Sequence, residues 1–276
     1  MFWPAPGIIL LFDTVVSEET VRCNAWSDFF YVPLAPANKL CYAGIMIYQN
    51  IQEGRFLTRP NRFIAYVRVG GQLQVCHVKN TGRCKELLVP DAKVLIQYCP
   101  SPNRKTNYDL IAVWKGHRLI NMDSAAPNQV FGEFLRAGGL FSQATRIQPE
   151  YTFGDSRFDF YVENITGETH REQAFIEVKG VTLEQGNVVR FPDAPTERGL
   201  KHLHALTRCV EAGYQAYAVF IIQMEGVKYF EANWETHPAF GQALRQAAQA
   251  GVKVLAWDCQ VSETSLILGQ PVPVHL

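Results

Sequence analysis

Asp159, in Ser156-Arg157-Phe158-Asp159-Phe160, precedes Glu177-Val178-Lys179 by eighteen residues. These are the residue types for metal-assisted phosphodiester chemistry. Residues two apart on a β-strand share a face and lie roughly 6.5 Å apart along it. Glu177 and Lys179 therefore project to one side, and Ile176 and Val178 to the other. Phe158, Phe160 and Val162 form a second alternating stripe, with Asp159 on the opposite face. Pairing of the two strands would bring two carboxylates and one ammonium together. Asp159 and Glu177 would hold a divalent cation, Mg²⁺ being the natural candidate because it binds one or two carboxylates and keeps several waters. Lys179 would position the attacking water or stabilise developing charge. A solvated strand face carrying an ion pair uses the same residues, so the motif needs support from its surroundings.

Composition narrows the setting. The chain has 276 residues, 47% of them hydrophobic, enough for one or two cored domains. Its net charge is zero, but the distribution is uneven. From Met46 to Ile120 there are 12 Lys+Arg against 4 Asp+Glu. From Asn121 to Leu276 the counts are 12 and 18. A basic first part beside an acidic second part fits a phosphate-binding surface next to a cation site. The seven cysteines are odd in number and contain no Cys-x-x-Cys, so neither a zinc ribbon nor a disulfide framework is indicated. Cys76 and His77 are adjacent and face opposite ways on a strand. The apolar run Ile8–Phe12 is too short to span a bilayer and lacks a basic flank. A cytoplasmic protein with reduced thiols and no membrane partner is expected.

The elements that must position these groups follow from periodicity. Residues 1–45 show no clear period, and Val32-Pro33-Leu34-Ala35-Pro36 reads as loop; the segment is expected to be an extension, with the functional chain starting at Met46. Residues 46–120 read as a small β-barrel. Phe63–Val69 and Gln72–Val78 flank Gly70-Gly71 as a hairpin, and Val94–Tyr98 and Leu110–Trp114 add strands. Residues 121–276 read as α-β-β-β-α-β-α-β. Asn128 is expected to cap a first helix that ends at Gly138-Gly139. Two or three strands follow across Tyr151–Phe191. Thr196 caps a second helix with Leu200, Leu203, Leu206 and Val210 on its apolar face. Tyr217–Ile222 is a buried strand, Pro238–Gly251 a third helix, and Val252–Trp257 the last strand.

That order is the core order of the PD-(D/E)xK nuclease-like fold. The chain also resembles the sugar fermentation stimulation protein A family. The resemblance rests on Gly54-Arg55-Phe56-Leu57, Arg59-Pro60-Asn61-Arg62-Phe63, His77-Val78-Lys79-Asn80-Thr81-Gly82, the Asp159 and Glu177 segments, Arg190-Phe191-Pro192-Asp193-Ala194 and Thr196-Glu197-Arg198-Gly199-Leu200-Lys201-His202-Leu203. It covers Met46 to the C-terminus. It implies a mixed α/β (α+β) chain in which an OB-like barrel precedes a nuclease-like α/β domain. It also implies DNA binding and a link to regulation of sugar (maltose) metabolism. Arg83-Cys84, Gly180 and Pro195 depart from the family's usual Ser-Met, Asn and Val.

Other roles follow. Glu133, on the first helix, matches the fold's usual first acidic position, and Gln223, at the end of the buried strand, could reach the same pocket. Arg198, Lys201 and His202 lie in the first two turns of the Thr196-capped helix, whose N-terminus attracts phosphate. Arg55, Arg59, Arg62, Lys79 and Arg83 are the barrel's candidates for phosphate contact, interleaved with Phe56 and Phe63. Two functions compete: DNA binding without turnover, and a Mg²⁺-dependent nuclease. A sugar enzyme is a third class, but a lysine two residues from a carboxylate suits phosphate chemistry better.

Overall fold

The computed structural model describes residues 44–80, 82–167 and 170–276. The reading of residues 1–45 as an extension, with its loop at 32–36, falls outside the described residues but for its last two positions. Strand β1 (Ile45–Ile47) pairs with a strand near the C-terminus, so Met46 belongs to the second sheet rather than to the barrel.

Strands β2 (Ile51–Asn61), β3 (Ile64–Val69), β4 (Gln72–His77), β5 (Lys93–Tyr98) and β6 (Tyr108–Lys115) run in the order β4-β3-β2-β5-β6, and a β4–β6 pairing closes the ring. This is the expected small barrel. Gly70 and Gly71 have φ of 55° and 85°, the left-handed conformations that a tight hairpin turn needs and that glycine adopts without penalty. β7 (Arg118–Asn121) extends β6 and leads into α1 (Ala126–Arg136).

The remaining elements are β8 (Ala144–Phe153), β9 (Ser156–Thr166), β10 (His170–Val181), β11 (Leu183–Gln185), β12 (Val188–Phe191), α2 (Glu197–Glu211), β13 (Gln215–Ile222), β14 (Tyr229–Ala232), α3 (Pro238–Gln249), β15 (Lys253–Val261), β16 (Ser265–Pro271) and β17 (Val274–His275). A seven-stranded mixed sheet has the order β1-β16-β15-β13-β10-β9-β8. Helix α1 covers one face, where Phe131 and Leu135 meet Phe160, Ile176 and Val219. Helices α2 and α3 cover the other, where Leu206 and Leu244 meet Phe175, Ala218 and Phe220. β13 is central and buried on both faces, which is why it reads as an unbroken apolar run. β11, β12, β14 and β17 form a small separate sheet.

Five local expectations change. The two or three strands expected across Tyr151–Phe191 are five, β8 to β12, and β14 stands between β13 and α3, where no strand is expected. Val252–Trp257 is not the last strand: β16 and β17 follow it. Ala125, not Asn128, occupies the N-cap of α1; Pro127 sits in the first turn, and the Asp123 carboxylate accepts a hydrogen bond from the Ala125 N–H (3.0 Å). Phe158 does not share a face with Phe160 and Val162. It packs in the α2 core, and they pack in the α1 core.

Candidate metal centre and nucleic-acid interface

The switch of face between Phe158 and Phe160 sets up the site. The β9–β10 ladder runs as far as Phe160 opposite Ile176. Just beyond it, the Val178 N–H donates to Asp159 Oδ2 (2.7 Å), a side-chain oxygen. Asn128, in the first turn of α1, donates to Asp159 Oδ1 (2.7 Å). The carboxylate is thus fixed from both sides of the strand end. Burial, and then the negative charge of Glu177, push its pKa up to about 6, with the Val178 N–H, Lys179 and Asn128 acting the other way.

Glu177 projects from β10 towards α2 and is 4% exposed. Burial raises its pKa, but hydrogen bonds from His202 and Lys179 outweigh that and hold it below the usual carboxylate value. Both donors, Lys179 Nζ and His202 Nδ1, meet the same oxygen, Oε1. The other oxygen, Oε2, is buried and has no hydrogen-bond partner among the described residues. An ionised carboxylate oxygen out of water and without a donor is costly. A cation between Glu177 and Asp159 would remove that cost and the repulsion felt by Asp159. Two carboxylates fit Mg²⁺, which takes its other ligands from water and substrate. Among the described residues, no group of three or more His, Cys, Asp or Glu side chains could hold a metal ion.

Among the described residues, Glu133 does not complete a metal-holding group of three with this pair. Its carboxylate accepts from Gln129, one turn back on α1 (3.3 Å). Gln223 is buried at the end of β13, but its amide nitrogen donates to Asn121 Oδ1 (2.8 Å) and the Asp123 carbonyl (3.0 Å). A Cβ built at Gly180 would lie 2.6 Å from Gln223 Oε1 and 2.8 Å from Pro127 Cγ, so this position suits glycine.

A cleft of about 330 Å³ opens beside Gly180, the neighbour of Lys179. Arg62 and Asn80 from the barrel line one side of it, and Arg190, Phe191 and Thr196 the other. Asp159, Glu177 and Lys179 do not line it. A second cleft, of about 220 Å³, shares Arg190 and Asp193 and carries Arg83 and Lys85.

Residues 57–122 match the family described as SfsA N-terminal OB domain, and residues 125–265 match the sugar fermentation stimulation protein RE domain. A sugar fermentation stimulation protein homolog from Desulfitobacterium hafniense (strain Y51) is 56% identical over 231 residues, covering 84% of this chain and 99% of the relative. A homolog of the same description from Clostridium beijerinckii is 53% identical, covering 84% and 100%. The chain belongs to the sugar fermentation stimulation protein family. A solved structure described as Pyrococcus furiosus SfsA in complex with Ca²⁺ superposes with a TM-score of 0.75 at 26% identity, covering 84% of this chain and 98% of that one.

The family's basic motifs land in different settings. Arg62 and Arg83 are exposed and line the two clefts. Arg55 is exposed on the barrel, its guanidinium 3.3 Å from the Asp91 carbonyl. Arg59 donates to the carbonyls of Arg62, Asn80, Gly82 and Arg83 and organises the loops that carry the family motif. Lys79 is tied to two buried aspartates, Asp123 (2.9 Å) and Asp109 (3.4 Å). Phe56 is core at 2% exposure, whereas Phe63 is 50% exposed under the Arg62 guanidinium.

On α2, the Thr196 hydroxyl caps the helix by accepting from the Gly199 N–H (3.0 Å), as its sequence predicts. Arg198 is exposed, and Lys201 pairs with Asp155 (3.2 Å). His202 points inward and is buried. Its place on the stripe Gly199, His202, Leu206, Cys209, spaced three and four apart, is the signal for that burial. Asn128 carries no comparable signal, because its partner Asp159 is distant in sequence.

Proposed function

We propose that this chain binds DNA and holds a divalent cation, Mg²⁺ by preference, between Asp159 and Glu177 on a nuclease-like scaffold. The observation that carries the reading is the buried, unpartnered Oε2 of Glu177 beside an Asp159 carboxylate that its charge repels. The relative described with bound Ca²⁺, another oxygen-seeking cation, supports it. So do the exposed Arg62 and Arg83 at the clefts, with Arg55 and Arg198 exposed elsewhere, which would meet backbone phosphates without choosing a sequence. The names of the relatives support a place in the control of sugar use.

Phosphodiester hydrolysis is the second reading, and Lys179 favours it. A bound Mg²⁺ supplies a Lewis acid and a water of lowered pKa. Lys179, leaning on Glu177, would place positive charge where the phosphate becomes more negative.

Calorimetry with Mg²⁺ and Mn²⁺ tests the cation site. Wild type should bind and Glu177→Gln should lose at least tenfold in affinity; equal binding by both rejects the assignment. A gel-shift series over salt tests the DNA reading, since phosphate contacts require affinity to fall steeply as salt rises. Plasmid cleavage that Asp159→Ala and Lys179→Ala abolish would favour hydrolysis over binding alone.

A further inference from the structure

We infer that His202 is a positioning residue that fixes which oxygen of Glu177 is available to the cation; this rests on the cation reading above. The imidazole of His202 is 6% exposed, which removes it from any surface that could meet DNA. It lies on the inward stripe of α2, and Phe158 packs edge-on against its ring at a centroid distance of 6.2 Å. Phe158 takes that place because β9 switches face before Phe160. The irregularity that presents Asp159 therefore also seats the histidine.

Its Nδ1 lies against Glu177 Oε1. Lys179 Nζ, which can only donate, meets the same oxygen, so Oε1 is an acceptor and Nδ1 is the donor to it. Lys179 reaches that oxygen from the same strand as Glu177 and on a long flexible stem. His202 comes from a different element, with a short side chain gripped by the core. It is the rigid member of the pair, and it sets the rotation of the carboxylate. With Oε1 taken twice, Oε2 is left for a ligand that is not a protein hydrogen-bond donor. Groups that orient a ligand in this way commonly change metal affinity by about 10- to 100-fold when removed.

The test compares wild type with His202→Leu and His202→Asn, using Mn²⁺ calorimetry and the rise in melting temperature caused by Mn²⁺. Leucine keeps the apolar packing but has no donor. Asparagine places an amide N–H near the position of Nδ1. The expected result is a loss of at least tenfold in Mn²⁺ affinity for His202→Leu, with most of it restored in His202→Asn. Melting temperatures without metal separate this from a merely structural role. A leucine variant that melts lower than wild type yet binds Mn²⁺ equally well overturns the inference. So does an asparagine variant, folded by circular dichroism, that binds no better than leucine. Absence of Mn²⁺ binding by wild type overturns the cation reading itself, and this inference with it.

Discussion

Asp159 shows how the burial of one side chain enters the pH dependence of stability. Its carboxyl has an ordinary pKa of 3.8 and a folded value of about 6. A group whose pKa rises on folding favours the fold at pH below its unfolded pKa, and that contribution is lost as pH climbs through the folded value. Two pKa units correspond to about 3 kcal/mol. Without metal, this group therefore makes the protein less stable at pH 8 than near pH 4. Asp159→Asn removes the charge but also loses one hydrogen-bond acceptor, so a net gain of about 1–2 kcal/mol is expected at pH 8. Thermal melts should show the gain at pH 8 and no gain near pH 4. A cation bound to both carboxylates reverses the sign, so Mg²⁺ should raise the wild-type melting temperature more at pH 8 than at pH 5. A pH-independent difference between wild type and variant would refute the assigned environment.

At the scale of elements, α2 carries more than its packing. Its cap was legible because Thr196 stands immediately before the apolar periodicity, and the hydroxyl does satisfy the Gly199 N–H. Its buried stripe was legible in outline through Leu203 and Leu206. The same spacing places His202 on the inward stripe, but it does not name the group that the imidazole meets there. The partner is Glu177, on a strand that reaches the helix only through tertiary packing. Thr196→Ala should lower stability by about 1 kcal/mol in denaturant unfolding. It should also weaken Mn²⁺ binding, because the first turns of α2 carry His202. An unchanged metal affinity would mean that the helix is held by its core contacts alone.

Across the whole molecule, the barrel and the large sheet are joined through charge as well as core. One apolar cluster runs from Val67 and Ile96 in the barrel to Leu206 and Phe220 under α2. Lys79, at the exit of β4, reaches Asp123 at the entry to α1 and Asp109 on β6. Lys115 and Arg118 reach Glu184 in the small sheet at 2.7 and 3.2 Å. Asp123 and Glu184, both outside the first part, therefore offset two of its eight excess positive charges internally. Lys79→Met should cost about 3 kcal/mol, because it strands a buried aspartate. It should leave the salt dependence of DNA binding unchanged. Arg62→Ala should do the opposite, with little change in stability and a salt slope smaller by about one phosphate contact. Equal slopes for wild type and Arg62→Ala would take Arg62 off the phosphate path.

The sequence by itself determined the barrel, the three helices and the buried strand Tyr217–Ile222 after Asn121, the cap at Thr196 and the family, because each is written in local periodicity or in contiguous motifs. It also marked Asp159, Glu177 and Lys179, since spacing along a strand is a short-range property. Only the tertiary structure decided which charges are available. It tied Lys79 to two buried aspartates and turned His202 onto Glu177. Among the basic candidates, it left Arg62 and Arg83 at the clefts. The physical reason is that a charged side chain takes its role from its nearest opposite charge and from the loss of water around it. Both are set by elements far apart in the chain.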